Sequence, residues 1–358
     1  MDAPSNLPQL LILQRQYFQL VEPHQLRWPD DAILKAPNVQ VWLFHNLFDA
    51  ANITSLPPGR YRLRILKQLV AKLERSITDP EEDEISDDIM EAMTILLVAD
   101  LPSEADAAQQ KAFVTYSYPH HSIDDSVTHE RTVTLLEARS VISSSGTTGL
   151  RTWEAALLLG SHLASEAGRP FVSGKRLFEL GAGTGMLSIL CAKHLGATGV
   201  VATDGDEAVV DAIRTNLFLN GLDVDDTSRI QVRTAALRWG HPIDAATFPE
   251  DYGMSVPDVV VGADVTYDKS VIPRLVSTLG EFFYLNPALE ALISATIRNE
   301  ETFETFLNAC RRNRFSFEQV DCPPVPEHQQ KGPFYPTSTP IQLWRVTRGR
   351  YMDDAFSV

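Results

Sequence analysis

Residues 177–204, LFELGAGTGMLSILCAKHLGATGVVATD, constrain the fold more than any other stretch of this chain. An apolar run enters a turn with glycines at 181, 183 and 185, a helical stretch follows, and a second apolar run ends on Asp204. Apolar segments flanking a helix read as a β-α-β unit. Glycines at the turn let the backbone bend sharply and approach a ligand with no Cβ in the way. The carboxylate of Asp204, at the end of the second strand, is placed to accept hydrogen bonds from both hydroxyls of a ribose. The stretch therefore predicts a nucleoside-cofactor site.

Glycine spacing narrows the ligand. A dinucleotide site wants G-x-G-x-x-G, with a pyrophosphate at the helix N-terminus. Here the pattern is G-x-G-x-G, the third dinucleotide position is Met186, and Glu179 precedes the turn. An acid beside the loop repels a pyrophosphate and attracts a cation. S-adenosylmethionine, with an α-amino group and a sulfonium, is the expected ligand, and a nicotinamide cofactor is the disfavoured alternative.

Composition excludes several other classes. A chain of 358 residues, 44% of them hydrophobic, can bury the cores of two ordinary domains. A net charge of −16 argues against direct nucleic-acid binding, which needs a basic face to displace counterions, and favours a basic or lysine-bearing protein surface as partner. Cys191, Cys310 and Cys322 have no metal-ligand spacing and form an odd set, so no metal is expected and a reducing compartment is. The N-terminus lacks a basic region followed by a long apolar core, and no run approaches the length of a membrane span. A soluble, cytoplasmic protein is expected, and a monomer.

The first part of the chain differs from the rest. Residues 7–20 and 61–73 carry apolar side chains at helical spacing, and residues 89–98 predict another helix. Residues 78–88, TDPEEDEISDD, read as a solvated loop or a first helical turn favoured by the macrodipole, with a recruitment site as the alternative. Residues 113–118 and 131–136 alternate or are β-branched and predict a hairpin-like lead-in. Residues 1–125 are thus expected to form a mainly helical domain, and residues 126–358 a second one.

From Gly149 on the order becomes α/β. Strands are expected near residues 176–180, 199–203, 230–234, 259–262, 289–297, 316–320 and 341–346, with helical stretches between most of them. Alternation of this kind gives a mainly parallel sheet covered on both faces. The last two strands lack a long helix between them, so they should form an antiparallel pair. The ligand should lie beyond the carboxyl ends of the strands, where the winding reverses.

These residues carry a family resemblance. The glycine turn after the first strand of the sheet resembles the seven-β-strand, Rossmann-like methyltransferases, and Asp264-Val265-Thr266-Tyr267 matches the D-x-x-Y motif of their protein-lysine branch. Gly146-Thr147-Thr148-Gly149-Leu150, Thr152-Trp153-Glu154-Ala155-Ala156, Gly262-Ala263-Asp264-Val265 and Thr296-Ile297-Arg298-Asn299-Glu300-Glu301-Thr302 resemble the elongation factor 2 lysine methyltransferases. Gln16-Tyr17-Phe18-Gln19-Leu20 and Leu26-Arg27-Trp28-Pro29 are similar to the extra N-terminal domain of those enzymes. The segments 78–88 and 321–340 match nothing in that family.

The resemblance implies an S-adenosylmethionine-dependent transferase that methylates a lysine of elongation factor 2, with the helical domain helping to recognise the folded substrate. It implies that Trp153 borders the cofactor, that Gly181, Ala182 and Gly183 face its methionyl part by backbone, that Trp239 flanks the adenine, and that Ala263 touches the cofactor by backbone. Trp153 and Trp239 are otherwise core aromatics, and Ala263 is otherwise small for packing. Asn216 and Asn220 share one helix face beside Gly221 and read as capping or turn residues. Cys322-Pro323-Pro324 reads as a loop, and His120, His121 and His241 as surface residues.

The chemistry needs alignment and exclusion of water, because a lysine amine attacks the methyl group in line with the departing sulfur. A free lysine has a pKa of about 10.4, so little of it is nucleophilic at neutral pH. Burial and a neighbouring sulfonium lower that value, whereas a carboxylate raises it. Asp264 is therefore expected to attract and orient the incoming group, and Tyr267 to shape the lysine channel and hydrogen-bond the amine. The alternative for Asp264 is a buried aspartate capping the next helix. A methyltransferase for another protein or for a small molecule is the alternative function, and a catalytically silent binding module is a third.

Overall fold

The computed structural model describes residues 7–79, 83–119, 130–138, 148–222 and 230–349. Packing divides the chain into two compact units, Met1–Gly146 with Gln330–Phe334, and Thr147–Gln329 with Tyr335–Val358.

The first unit is mainly helical. Helices Leu7–Phe18, Pro37–Leu43, Gly59–Ser76 and Asp87–Val98 turn their apolar stripes inward, burying Leu10, Leu13, Leu43, Ile65, Leu66, Leu69, Leu73 and Ile89. Tyr17 sits at the centre, its ring centroid 5.5 Å from that of Phe48 and 5.8 Å from that of Tyr61. Within the acidic stretch, Asp83 accepts from Lys35 Nζ at 2.9 Å and from the Thr78 backbone at 3.0 Å, which holds its carboxyl far below the ordinary range. Asp87 and Asp88 occupy a first helical turn, and residues 80–82 lie outside the described residues.

Strands β1 (Lys111–Tyr118) and β2 (Arg131–Ala138) pair antiparallel over their full length. This pairing puts β2 in the first unit, whereas a division between residues 125 and 126 assigned it to the second. The division point itself lies outside the described residues. A short return of the chain also belongs to this unit. Gln19 and the Phe334 backbone hydrogen-bond each other both ways, and Arg15 Nη1 donates to Lys331 O at 3.0 Å.

The second unit is built on a seven-stranded sheet of β3 (Arg176–Leu180), β4 (Gly199–Asp204), β5 (Val232–Ala236), β6 (Val259–Ala263), β7 (Glu290–Thr296), β8 (Phe315–Val320) and β9 (Ile341–Arg348), in the order β5-β4-β3-β6-β7-β9-β8. The first five pair in parallel, and β9 runs antiparallel to both β7 and β8. Strand β5 begins two residues later than the sequence suggests, its register running from Val200↔Val232 to Asp204↔Ala236.

Parallel strands covered on both faces must be apolar throughout, and Val259, Val260 and Val261 of β6 are fully buried. On one face Phe178, Phe248, Tyr252 and Phe282 form an aromatic cluster, with Phe178 and Phe282 centroids 4.8 Å apart. Helix Met186–His194 is buried nearly all round, which accounts for its near absence of polar residues before Lys193. The winding reverses beside β3, where β4 and β5 lie to one side and β6 and β7 to the other. A crevice opens there, beyond the carboxyl ends of the strands.

Candidate active site

A cavity of about 1040 Å³ occupies that crevice, and all the sequence-predicted site residues line it: Trp153, Glu179, Gly181, Ala182, Gly183, Asp204, Trp239, Ala263, Asp264 and Tyr267. Its size is ample for a nucleoside-sized ligand with room for a second group.

The turn after β3 is left-handed at Gly181, Gly183 and Gly185, with φ of +65°, +55° and +79°. Crowding adds a second reason for glycine. A Cβ at 181 would lie 2.8 Å from Val265 Cγ1 and 3.3 Å from Trp239 Cζ2, so Trp239 and the D-V-T-Y segment close down on this turn. Ala182 N donates to Thr203 O at 2.8 Å, locking the turn to β4.

Two buried carboxylates frame the turn. Glu179 is only 2% exposed, and its Oε2 accepts from Ser188 N at 3.0 Å and from the Ser188 hydroxyl. It thereby satisfies a free N–H in the first turn of helix Met186–His194. Burial nevertheless pushes its carboxyl up to about 7, with the Asp204 charge adding to the rise. Asp204 Oδ2 accepts from Gly183 N at 3.2 Å and Oδ1 from Asp206 N at 3.2 Å. Burial raises this carboxyl too, and those backbone donors pull against the rise. Two acids at a glycine turn suit a ligand with a cationic end and a diol.

Trp153 is half-buried, and its indole Nε1 donates to Thr148 O at 3.1 Å. The guanidinium carbons of Arg151 and Arg298 lie 5.5 and 5.2 Å from its ring centroid. Behind it, the hydroxyls of Thr152 and Thr184 meet at 2.7 Å, and Asn216 Nδ2 donates to Thr184 O at 2.9 Å. Asn216 thus holds the turn from behind, while Asn220 caps its helix and donates to Asn216 O at 2.8 Å.

Ala263 ends β6, and Asp264 follows in a left-handed conformation, φ +53°, uncommon for a residue with a side chain. Its backbone N donates to Ser294 O at 2.9 Å, Thr296 N donates to Oδ1 at 2.8 Å, and the Thr296 hydroxyl to Oδ2 at 3.0 Å. Burial raises its carboxyl, and the Thr296 bonds and the Arg298 charge oppose that. The helix-capping alternative is overturned: the next helix, Ile272–Leu285, starts after Val271 with no side-chain cap, and the Asp264 bonds run to the end of β7. Tyr267 stands 65% exposed at the mouth.

Several lining residues carried no assigned role in the sequence. Thr296 and Arg298 lie in a segment that carries the family resemblance, and their proximity to Asp264 follows from the pairing of β6 with β7. Glu154, which is not part of the lining, accepts from Arg298 Nη2 at 3.0 Å through its Oε2. His241 is exposed, as expected of a surface residue, and also lines the cavity. His120 and His121 lie outside the described residues, as do Gly146 and Thr147. Cys322 lies on the segment after β8, away from this cavity. No helix among the described residues is long and apolar enough to cross a membrane.

Comparison with known proteins gives a consistent result. A family described as lysine methyltransferase matches residues 136–313. Protein-lysine N-methyltransferase EFM3 of Chaetomium thermophilum is 46% identical over 344 residues, covering 96% of this chain and 99% of its own. Protein-lysine N-methyltransferase EFM3 of Saccharomyces cerevisiae is 31% identical over 229 residues, 59% of this chain and 64% of its own. Protein-lysine N-methyltransferase EEF2KMT of Homo sapiens is 30% identical over 283 residues, 77% and 76% of the two chains.

Proposed function

Because the chain belongs to the protein-lysine N-methyltransferase family, we propose that its cavity takes S-adenosylmethionine together with a lysine side chain of elongation factor 2. The observation that carries this reading is the meeting, at the ends of β3, β4 and β6, of the glycine turn, Asp204 and Asp264 in one cavity. The names EFM3 and EEF2KMT borne by relatives support an elongation factor as the acceptor. The cytoplasm is the compartment that such an acceptor implies, and a monomer suffices for a cavity formed by one chain.

The donor supplies a methyl carbon on a sulfonium, which a neutral amine attacks as the carbon–sulfur bond breaks. The protein's part is binding and alignment. The Asp204 oxygens accept from the Gly183 and Asp206 backbone, which fixes the carboxylate that would take the ribose hydroxyls. The backbone of Gly181, Ala182 and Gly183 would hold the methionyl end, with Glu179 as the nearby anion. Trp239, whose ring edge lies over Gly181, and Trp153 would flank S-adenosylmethionine, and the Ala263 backbone would complete the wall. Asp264, held by Thr296, orients the incoming nitrogen, and Tyr267 at the mouth forms the side of a lysine channel. The helical N-terminal unit gives a protein substrate an additional surface that a small molecule would not need.

The test is transfer of labelled methyl groups from S-adenosylmethionine into a lysate of cells lacking the enzyme, followed by mass spectrometry. A single labelled band at elongation factor 2, modified on lysine, is expected. Label on another protein, or only in the small-molecule fraction, refutes the substrate assignment.

A further inference from the structure

Asp264 faces a conflict that its own position does not solve. A buried carboxylate beside the substrate nitrogen orients it, yet it also holds that nitrogen as an ammonium with no lone pair to attack. A second acid stands close by. Glu154, at the start of helix Glu154–Ala164, shares Arg298 with Asp264, and Arg298 Nη2 lies 3.0 Å from Glu154 Oε2 and 3.6 Å from Asp264 Oδ2. The Asp264 side chain is 9% exposed and the Glu154 side chain 21% exposed, so neither charge is fully screened by water. The Arg298 guanidinium carbon lies over the Trp153 ring, 5.2 Å from the ring centroid.

We propose that Arg298 is a positioning residue that offsets the paired charges of Asp264 and Glu154, so that Asp264 aligns the lysine nitrogen without keeping it protonated. This rests on the reading of the cavity as the lysine methylation site. Without Arg298, Asp264 in the cavity and Glu154 behind it would both be uncompensated, and with it the three groups carry a net charge of −1. The proton lost by the ammonium goes to water, the freed lone pair forms the N–C bond, and the electron pair of the breaking C–S bond goes to sulfur. Thr296 keeps the Asp264 oxygens fixed through both hydrogen bonds and carries no charge.

Ionisable groups besides Asp264 and Arg298 line the cavity. Glu179, Asp204 and Asp206 lie around the glycine turn and the end of β4, and Tyr267 lies on the Asp264 segment itself. Arg238, His241 and Arg274 come from the segment after β5 and from helix Ile272–Leu285, and Arg151 stacks on Trp153 with Arg298. The Arg298 charge lowers the Asp264 pKa and the Glu154 charge raises it. Arg298 is the cation within 4 Å of both carboxylates among the described residues.

The experiment measures kcat and KM for elongation factor 2 across pH for wild type, Arg298→Met, Arg298→Lys and Glu154→Gln, with cofactor affinity by calorimetry as the check on folding. In Arg298→Met the acid limb of kcat moves up by about one to two pH units, lowering kcat at pH 7 about tenfold or more, while KM is unchanged or lower. Arg298→Lys retains the charge and stays nearer wild type. Glu154→Gln removes one anion and moves the limb the other way, which gives a readout even if Arg298→Met does not fold. A limb unmoved in Arg298→Met and Glu154→Gln, with kcat reduced by one factor at every pH, overturns the proposal, as does a lysine variant shifted as far as the methionine variant. If wild type labels a different protein, the substrate reading fails alone, and the same comparison is made on that protein.

Discussion

Glu179 allows cofactor binding to be followed by counting protons. Burial raises its carboxyl to about 7 in the free protein, against an unfolded value of 4.5. A cation bound beside it favours the carboxylate, so S-adenosylmethionine should expel the proton that Glu179 carries. With a value of about 7, the free protein holds about 0.9 of a proton on this group at pH 6 and about 0.1 at pH 8. Binding is therefore expected to release nearly one proton at pH 6 and almost none at pH 8. Apparent affinity should rise about tenfold between the two.

Isothermal titration calorimetry in two buffers of different ionisation enthalpy gives the proton count directly. Asp204 is raised by burial as well, so Glu179→Gln is the control that isolates the Glu179 contribution. The same shift acts on stability. Because the folded state binds the proton more tightly than the unfolded one, the free protein loses stability as pH rises from about 4.5 to about 7, by up to about 3 kcal/mol from this group. The glutamine variant should flatten that part of the curve. Equal proton release by wild type and Glu179→Gln, or equal release at pH 6 and pH 8, would refute the reasoning.

Other expectations follow from individual contacts. Asp204→Ala should weaken cofactor binding by about 1.5–3 kcal/mol per lost charge-assisted hydrogen bond, read by calorimetry; unchanged affinity removes it from the ribose role. Asp264→Asn should leave cofactor affinity nearly intact and lower turnover on elongation factor 2, measured by label incorporation. Gly185→Ala puts a Cβ 2.8 Å from Ile213 Cγ2 at φ +79°. It should cost at least about 1–2 kcal/mol in urea unfolding. Tyr17→Phe removes a buried hydroxyl that has no hydrogen-bond partner among the described residues, so it should leave stability unchanged or raise it by about 1 kcal/mol in the same assay.

The candidate site was legible to an unequal degree. The glycine turn and Asp204 were plain because a β-α-β unit is local: its strands, helix and turn lie within residues 177–204, and each leaves its own periodicity or φ requirement in the sequence. Asp264 and Tyr267 were identified by a motif, which names residues without saying what holds them. That Thr296 fixes both Asp264 oxygens depends on the pairing of β6 with β7, across 32 residues of chain, and no local pattern encodes such a pairing. The helix cap envisaged for Asp264 failed for the same reason, since the left-handed backbone at 264 turns the side chain to a distant strand.

By itself the sequence determined the strands of the mainly parallel sheet, the main helices, and the end of the sheet at which the cavity opens, because burial pattern and turn chemistry are properties of neighbouring residues. Tertiary structure alone decided that β2 belongs with β1 in the first unit, that Glu179 holds a helix terminus while burial raises its carboxyl to about 7, and that Arg298 stands between Glu154 and Asp264. Each of these depends on desolvation or on the distance between groups far apart in the chain, and both come into existence only when the chain is packed.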